Sequence, residues 1–394
     1  MDFNILDAEI NIPSKDPRDY TVFISGKPGC GKTSLVKQMP KSFTIDLDRG
    51  TKTHAMKAQV AKDWYEVIEI RDQLVQMAKM KKKATKAKEN GDNEVDIKVA
   101  KKKLTLPVDK AIEVTSKIEF VSIDTVNQAK QFAKDYMINK YNEKRISESK
   151  NEITNFNEIG WGKDDELESM LMDLINSLID AGYGVAEVSH IKDKKINKDT
   201  EDERIQVVPD LLDSERNYLV GAADIEIQIV IEDKTIEKAK KNEDKKLLKS
   251  AVVEQETWMY LRANADKEAK SRFAFLPEKI PYGYDNLVKA IEEAVDKEIE
   301  YGKNIYNLND NDVEELIQKQ DQQKEDKNDE DINIIKLEDL IEIIKTKYNS
   351  LDKMVDDDGN KKYLRKDLNS IIGKVNYKTI EEAEQVLQNL NKVG

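Results

Sequence analysis

The chain has 394 residues, 39% of them hydrophobic and 36% charged, with a net charge of −13, which suits one sizeable core, a smaller appendage and a large solvated surface. No apolar run approaches the ~20 residues of a membrane helix, and the acidic balance excludes a uniformly basic nucleic-acid surface while leaving room for a local one. A single cysteine excludes an intramolecular disulfide, and with a start that is neither basic nor apolar the expected compartment is a reducing cytoplasm.

In chain order, residues 20–25 (YTVFIS) read as a buried strand followed by a Gly/Pro cluster. A helix is expected from Lys32 to Met39, stopped by Pro40, and a second strand over 42–47. Residues 64–70 read as a weaker third strand leading into a helix near Leu74. The lysine-rich stretch of about 79–110 interrupts the pattern and reads as an insertion, part helical and part mobile. A core strand returns over 118–123, followed by a helix from Asn127 to Lys140 and a polar stretch to about Gly162.

Residues 166–181 carry apolar side chains at helical spacing, with Gly182 as cap and a strand over 184–189. Residues 224–231 and 252–261 alternate like a hairpin, and a helix from Tyr284 to Glu300 closes a main domain of residues 1–305. An acidic linker (306–332), helical at its start, and a small helical C-terminal domain (333–394) are expected beyond it. The fold class is therefore α/β with a mostly parallel central sheet plus a small helical domain.

Gly26-Lys27-Pro28-Gly29-Cys30-Gly31-Lys32-Thr33-Ser34 contains the full G-x-x-x-x-G-K-[ST] form between a strand and a helix. Small residues let successive backbone N–H groups turn inward and cradle phosphates. Lys32 is expected to reach the β- and γ-phosphates of ATP, and the Thr33 hydroxyl to ligate Mg²⁺. Asp124, ending an apolar strand about 90 residues downstream, suits the carboxylate that holds Mg²⁺ through water. A strand-end aspartate also caps helices, so the residue type alone leaves both readings open.

Asp46 and Asp48 share a face at the end of the second strand. Asp48 is the better placed to orient an attacking water, and a solvated charged turn is the alternative. His190 puts a polar, neutral-capable side chain at another strand end. Lys270 and Arg272, two cations at i, i+2, are arranged to grip a phosphate from a neighbouring subunit or to serve as ordinary surface charge.

Taken together, GKPGCGKTS (26–34), FTIDLDRG (43–50), FVSIDTV (120–126), IGWGKDDEL (159–167), GYGVAEVSHIKDK (182–194), GAADIEIQIV (221–230) and AKSRFAFLPE (269–278) resemble the RecA-like ATPase core. More closely, they look like phage-encoded single-domain RecA-like ATPases related to the Sak-type annealing and recombination proteins. The resemblance covers roughly residues 18–300 and implies a RecA-like P-loop NTPase core. It assigns water positioning to Asp48, the Walker B acid to Asp124, the sensor to His190 and the intersubunit cations to Lys270 and Arg272. Aspartate at position 48, where the family uses glutamate, is one methylene shorter and implies slower hydrolysis.

The resemblance further implies binding of single-stranded DNA through residues 140–163 and 191–218, where Lys140, Lys144, Arg145, Lys192, Lys194, Lys195 and Lys198 supply cations. It implies an ATPase of phage recombination or replication, in the bacterial host cytoplasm, assembled as a homo-oligomer with shared sites. The alternative is an ATP-gated adaptor or loader that recruits a replication or recombination partner through the C-terminal domain. A small-molecule kinase fits less well, because no arginine-rich lid segment is found.

Overall fold

The computed structural model describes residues 10–99, 102–197, 203–241 and 247–320. It divides into two compact units, Pro13–Leu308 and a smaller one formed by Met1–Ile12 with Asn309–Gly394. In the smaller unit residues 310–320 are helical, started by a reciprocal cap in which Asn309 N–H bonds Asp312 Oδ2 at 2.8 Å and Asp312 N–H bonds Asn309 Oδ1 at 3.1 Å. The helices expected over 333–394 lie outside the described residues.

The large unit begins with β1 (Val22–Gly26), α1 (Lys32–Gln38), β2 (Ser42–Asp46) and β3 (Lys57–Val60). Next come α2 (Trp64–Glu89), β4 (Glu94–Val99), β5 (Lys102–Pro107), α3 (Val108–Thr115), β6 (Phe120–Asp124), α4 (Val126–Ser147) and α5 (Lys163–Asp180). It continues with β7 (Gly184–Ser189), β8 (Ile191–Ile196), β9 (Arg204–Pro209), α6 (Asp213–Ala222), β10 (Ile225–Lys241) and β11 (Leu247–Tyr260), and closes with β12 (Lys270–Ser271), β13 (Lys279–Pro281) and α7 (Tyr284–Tyr306).

Nine strands form one sheet in the order β13-β11-β10-β1-β7-β6-β2-β3, with β12 also on β10. The six strands from β10 to β3 are mutually parallel, and β11, β12 and β13 add antiparallel pairs. β1, β6 and β7 are buried along their whole length, as expected for parallel strands covered on both faces. Alternate side chains divide between two cores. Phe23, Ile45, Ile123 and Val185 pack with α2, α4 and α5, whereas Val22, Ile24, Val188 and Ile227 pack with α1 and α7.

The structure corrects one expectation. Residues 64–70 open a 26-residue helix rather than a strand. Asp63 caps its start by accepting from Glu66 N–H at 2.9 Å, and Trp64, Val67, Leu74 and Ala78 bury one face. The third strand is instead 57–60 at the sheet edge, whose side chains alternate between exposed and half-buried. The described part of the lysine-rich stretch is helical in part, as expected: the distal half of α2, the β4–β5 hairpin and α3 surround a small core of Ala84, Ala87, Val95, Ile97, Val108 and Ala111. The described residues of 191–218 form the antiparallel β8–β9 pair and α6, and α4 runs on to Ser147.

Two buried carboxyls break the apolar pattern. Glu187 in β7 and Glu226 in β10 flank Phe23 in register. Neither has a hydrogen-bond partner among the described residues, and burial pushes each up to about 8. Both therefore hold their proton at neutral pH.

Candidate functional site

β1, β7, β6 and β2 end together at one edge of the sheet, and the chemistry-bearing residues follow from those ends. Beyond β1 the chain turns through Gly29 and Gly31, both with positive φ (79° and 105°), into α1. A Cβ on Gly26 would lie 2.4 Å from Cys30 Sγ, and one on Gly31 would lie 3.2 Å from the Tyr282 ring. Only glycine fits these two places. Tyr282 also donates its hydroxyl to Gly31 O at 2.8 Å, and Tyr284 N–H bonds Gln38 Oε1 at 2.9 Å. The β13–α7 turn thus braces the phosphate loop from 251 residues away.

Lys32 is buried and donates from Nζ to Gly26 O at 2.8 Å and Lys27 O at 3.1 Å. Burial lowers its pKa, while Asp124 and Asp48 act to keep it charged. Thr33 Oγ1 donates to Asp124 Oδ2 at 2.8 Å, joining the P-loop helix to the end of β6. Burial raises the Asp124 pKa, opposed by that Thr33 hydrogen bond and aggravated by the Asp48 and Asp46 charges nearby.

Asp46 and Asp48 separate cleanly. Asp46 is fully buried and accepts from Gly50 N–H (3.0 Å), Thr51 N–H (3.2 Å) and Thr51 Oγ1 (2.5 Å), so it builds the turn. Asp48 is one-third exposed, and its Oδ2 lies 3.8 Å from His190 Nε2. β7 lies between β1 and β6, so the strand that carries His190 ends beside those that carry the P-loop and Asp124. Asn127, in the first turn of α4, fixes that end of β7: its Oδ1 accepts from Ser189 Oγ (3.0 Å) and His190 N–H (3.1 Å), and its Nδ2 donates to Asp210 O (2.6 Å).

Hard oxygen donors beside a phosphate cradle fit Mg²⁺, which takes one or two protein oxygens and fills its shell with water and phosphate. Thr33 and Asp124, 2.8 Å apart, are two oxygen donors that could hold such an ion. Among the described residues no cluster of three or more Asp, Glu, His or Cys forms a metal cage, so such an ion would need the nucleotide's oxygens.

The remaining candidates are placed elsewhere. Lys270 Nζ donates to Gly221 O at 2.6 Å, and Arg272 donates to Ala222 O at 3.0 Å and Asp224 Oδ1 at 3.1 Å. Within the chain both hold the C-terminal end of α6, a natural role for cations there. Most of the cations expected to meet single-stranded DNA are engaged within the chain. Lys140 meets Glu166 at 3.5 Å, Arg145 meets Asn151 O at 2.5 Å, and Lys192 meets Leu211 O at 2.7 Å. Lys194 and Lys195 reach Asp213 and Glu203, each at 2.8 Å. Lys144 has no side-chain ion pair among the described residues, and Lys198 lies outside them.

Asn127 and Tyr282 are the site residues that sequence reasoning missed. Asn127 sits three residues past Asp124 and carried a local signal, a polar side chain in the first turn after a strand-end acid. Tyr282 gave no local signal, because its contact is long-range.

A family model described as "AAA domain" matches residues 18–273. No curated protein matches the chain.

Proposed function

We infer, from the premise that the chain belongs to the AAA-domain family of P-loop ATPases, that it is a RecA-like enzyme that binds ATP with Mg²⁺ at Gly26–Ser34 and hydrolyses it. The observation that carries this reading is the convergence of Lys32, Thr33–Asp124 and Asp48–His190 on the ends of four neighbouring strands. Mg²⁺, when bound, would neutralise charge on the transferring phosphoryl group. Thr33 and Asp124 would hold it, exchanging their mutual hydrogen bond for metal contacts direct and through water. Lys32 would turn from the carbonyls of Gly26 and Lys27 to the β- and γ-phosphates.

Asp48 is the carboxylate free to orient the attacking water, since Asp46 is committed to its turn. His190 is near enough to Asp48 to report whether that position is filled and to pass the state into β8. In an assembled ring or filament Lys270 and Arg272 would exchange the α6 carbonyls for a neighbour's phosphate.

Single-stranded DNA, bound through residues 140–163 and 191–218, is the proposed effector, in phage recombination or replication. A second reading, an ATP-gated adaptor that recruits a partner through residues 333–394, is favoured by one observation. The lysines of the two expected DNA segments are largely paired within the chain. Phosphate release from ATP at low salt, with and without single-stranded DNA, separates the two. Stimulation that collapses in Lys32→Ala supports the DNA-dependent enzyme; slow turnover indifferent to DNA supports the adaptor.

A further inference from the structure

Positive charge on this chain is concentrated far from the phosphate loop. Residues 79–117 carry twelve lysines against six carboxylates, on a chain whose net charge is −13. Residues 140–163 hold five cations against four carboxylates, and residues 191–218 six against eight. Of these three segments, the large surplus lies in the arm made by distal α2, the β4–β5 hairpin and α3.

The topology puts that arm at the opposite end of the sheet from the ATP site. α2 starts four residues after β3, at the edge where Asp46 and Asp124 end their strands. Its 26 residues span about 39 Å at 1.5 Å each, whereas β2 and β6 have only five residues each, roughly 17 Å. The helix therefore overshoots the sheet. α3 leads back into the start of β6, which fixes the arm at the far edge. Its own core of Ala84, Ala87, Val95, Ile97, Val108 and Ala111 keeps it ordered away from the main body.

Lys83, Lys86, Lys88, Lys110 and Lys117 are exposed on it. Residues 79–117 contain no Phe, Tyr or Trp, and among the described residues the large apolar side chain exposed there is Leu104. Protein interfaces need an apolar or aromatic centre, and single-strand surfaces add aromatic platforms for bases. Lys88 and Lys110 meet Asp109 (3.1 Å) and Glu113 (2.7 Å), and Lys83 donates to Asp96 O at 3.0 Å; exposed pairs of this kind are weak and open readily to a polyanion. A surplus of exposed cations without an apolar or aromatic centre matches a dense phosphate array, and a duplex presents one charge per about 1.7 Å. We propose that residues 79–117 bind the sugar–phosphate backbone of a nucleic-acid duplex, as a second surface separate from the ATP site and from the proposed single-strand segments.

The test uses the full chain and a labelled 30-base-pair DNA duplex, with binding read by anisotropy over a salt series. In the variant Lys83→Gln/Lys86→Gln/Lys88→Gln/Lys117→Gln, affinity at 100 mM salt is expected to fall about thirtyfold or more. The slope of log K against log salt should become shallower by about 3.6, at ~0.9 for each of the four phosphates no longer neutralised. Amide hydrogen exchange on the wild-type chain should show protection of residues 79–117 by the duplex, which keeps the idea testable should the variant fold poorly. Unchanged affinity and slope in a folded variant, no duplex binding by the wild type at 50 mM salt, or arm protection by polyglutamate but not by duplex would overturn it. ATP turnover measured on the same samples is independent: its absence with duplex binding intact defeats the ATPase reading and leaves the arm.

Discussion

The two ends of the sheet handle charge in opposite ways. At the P-loop end a few groups are fixed at hydrogen-bond distances, and Lys32 is buried against carbonyls. At the far end exposed lysines stand on a small alanine-rich core, some of them in surface pairs with neighbouring carboxylates. The difference teaches what each kind of charge is good for. Desolvated, oriented charges act strongly on one bond; solvated, numerous charges attract a polyanion without fixing its geometry and are weakened by salt.

Removing one charge from the ordered end should therefore cost far more than removing one from the arm. The largest effect is expected for Lys32→Ala, which should cut ATP turnover by about a thousandfold, at the upper end of what one oriented donor contributes. Phosphate-release assays at saturating ATP check this. Asp48→Asn should lower turnover by about a hundredfold with ATP affinity nearly kept, the signature of a group acting on water and not on substrate. Asp46→Asn should instead lower thermal stability, by about 1–3 kcal/mol, because a buried acceptor of three hydrogen bonds is weakened. If Asp46→Asn and Asp48→Asn behaved alike, the division between turn builder and water positioner would be lost.

Glu187 sharpens the comparison through pH. Its folded-state pKa of about 8 lies above the ordinary carboxylate range, so the folded chain holds a proton that the unfolded chain releases above pH ~4.3. Stability from this group is fully present in acid and drains away as pH rises towards 8. Glu187→Gln, which mimics the protonated acid, should raise the melting temperature at pH 8 and raise it less at pH 5. The smallest expected effect is Tyr282→Phe, which removes one hydrogen bond to Gly31 O and should cost about 1 kcal/mol of stability.

Much of the nucleotide end was legible in the sequence because its determinants are local. A glycine-rich turn between a strand and a helix, and an acid ending an apolar strand, are short patterns, and Gly26–Ser34 and Asp124 stand where those patterns put them. Which of Asp46 and Asp48 remained free was only partly legible: it depends on Gly50 and Thr51 folding back onto Asp46. The β-branched and aromatic run from Trp64 to Ile70 pointed to a strand, and the Asp63 cap together with burial at helical spacing overrode that propensity. The arm was legible only in its helical part, because its core rests on alanines and a hairpin, whose individual hydrophobicity is small beside a dozen lysines. Lys270 and Arg272 could not be placed from sequence, since the carbonyls they meet belong to the end of α6, about 50 residues earlier.

Magnesium-dependent phosphate release by the full chain, compared with Asp124→Asn at matched ATP occupancy, tests the ATPase site most directly. The geometry of Thr33, Lys32 and Asp124 predicts measurable release by the wild type and a loss of about a hundredfold or more in the variant. Equal release by both would contradict it.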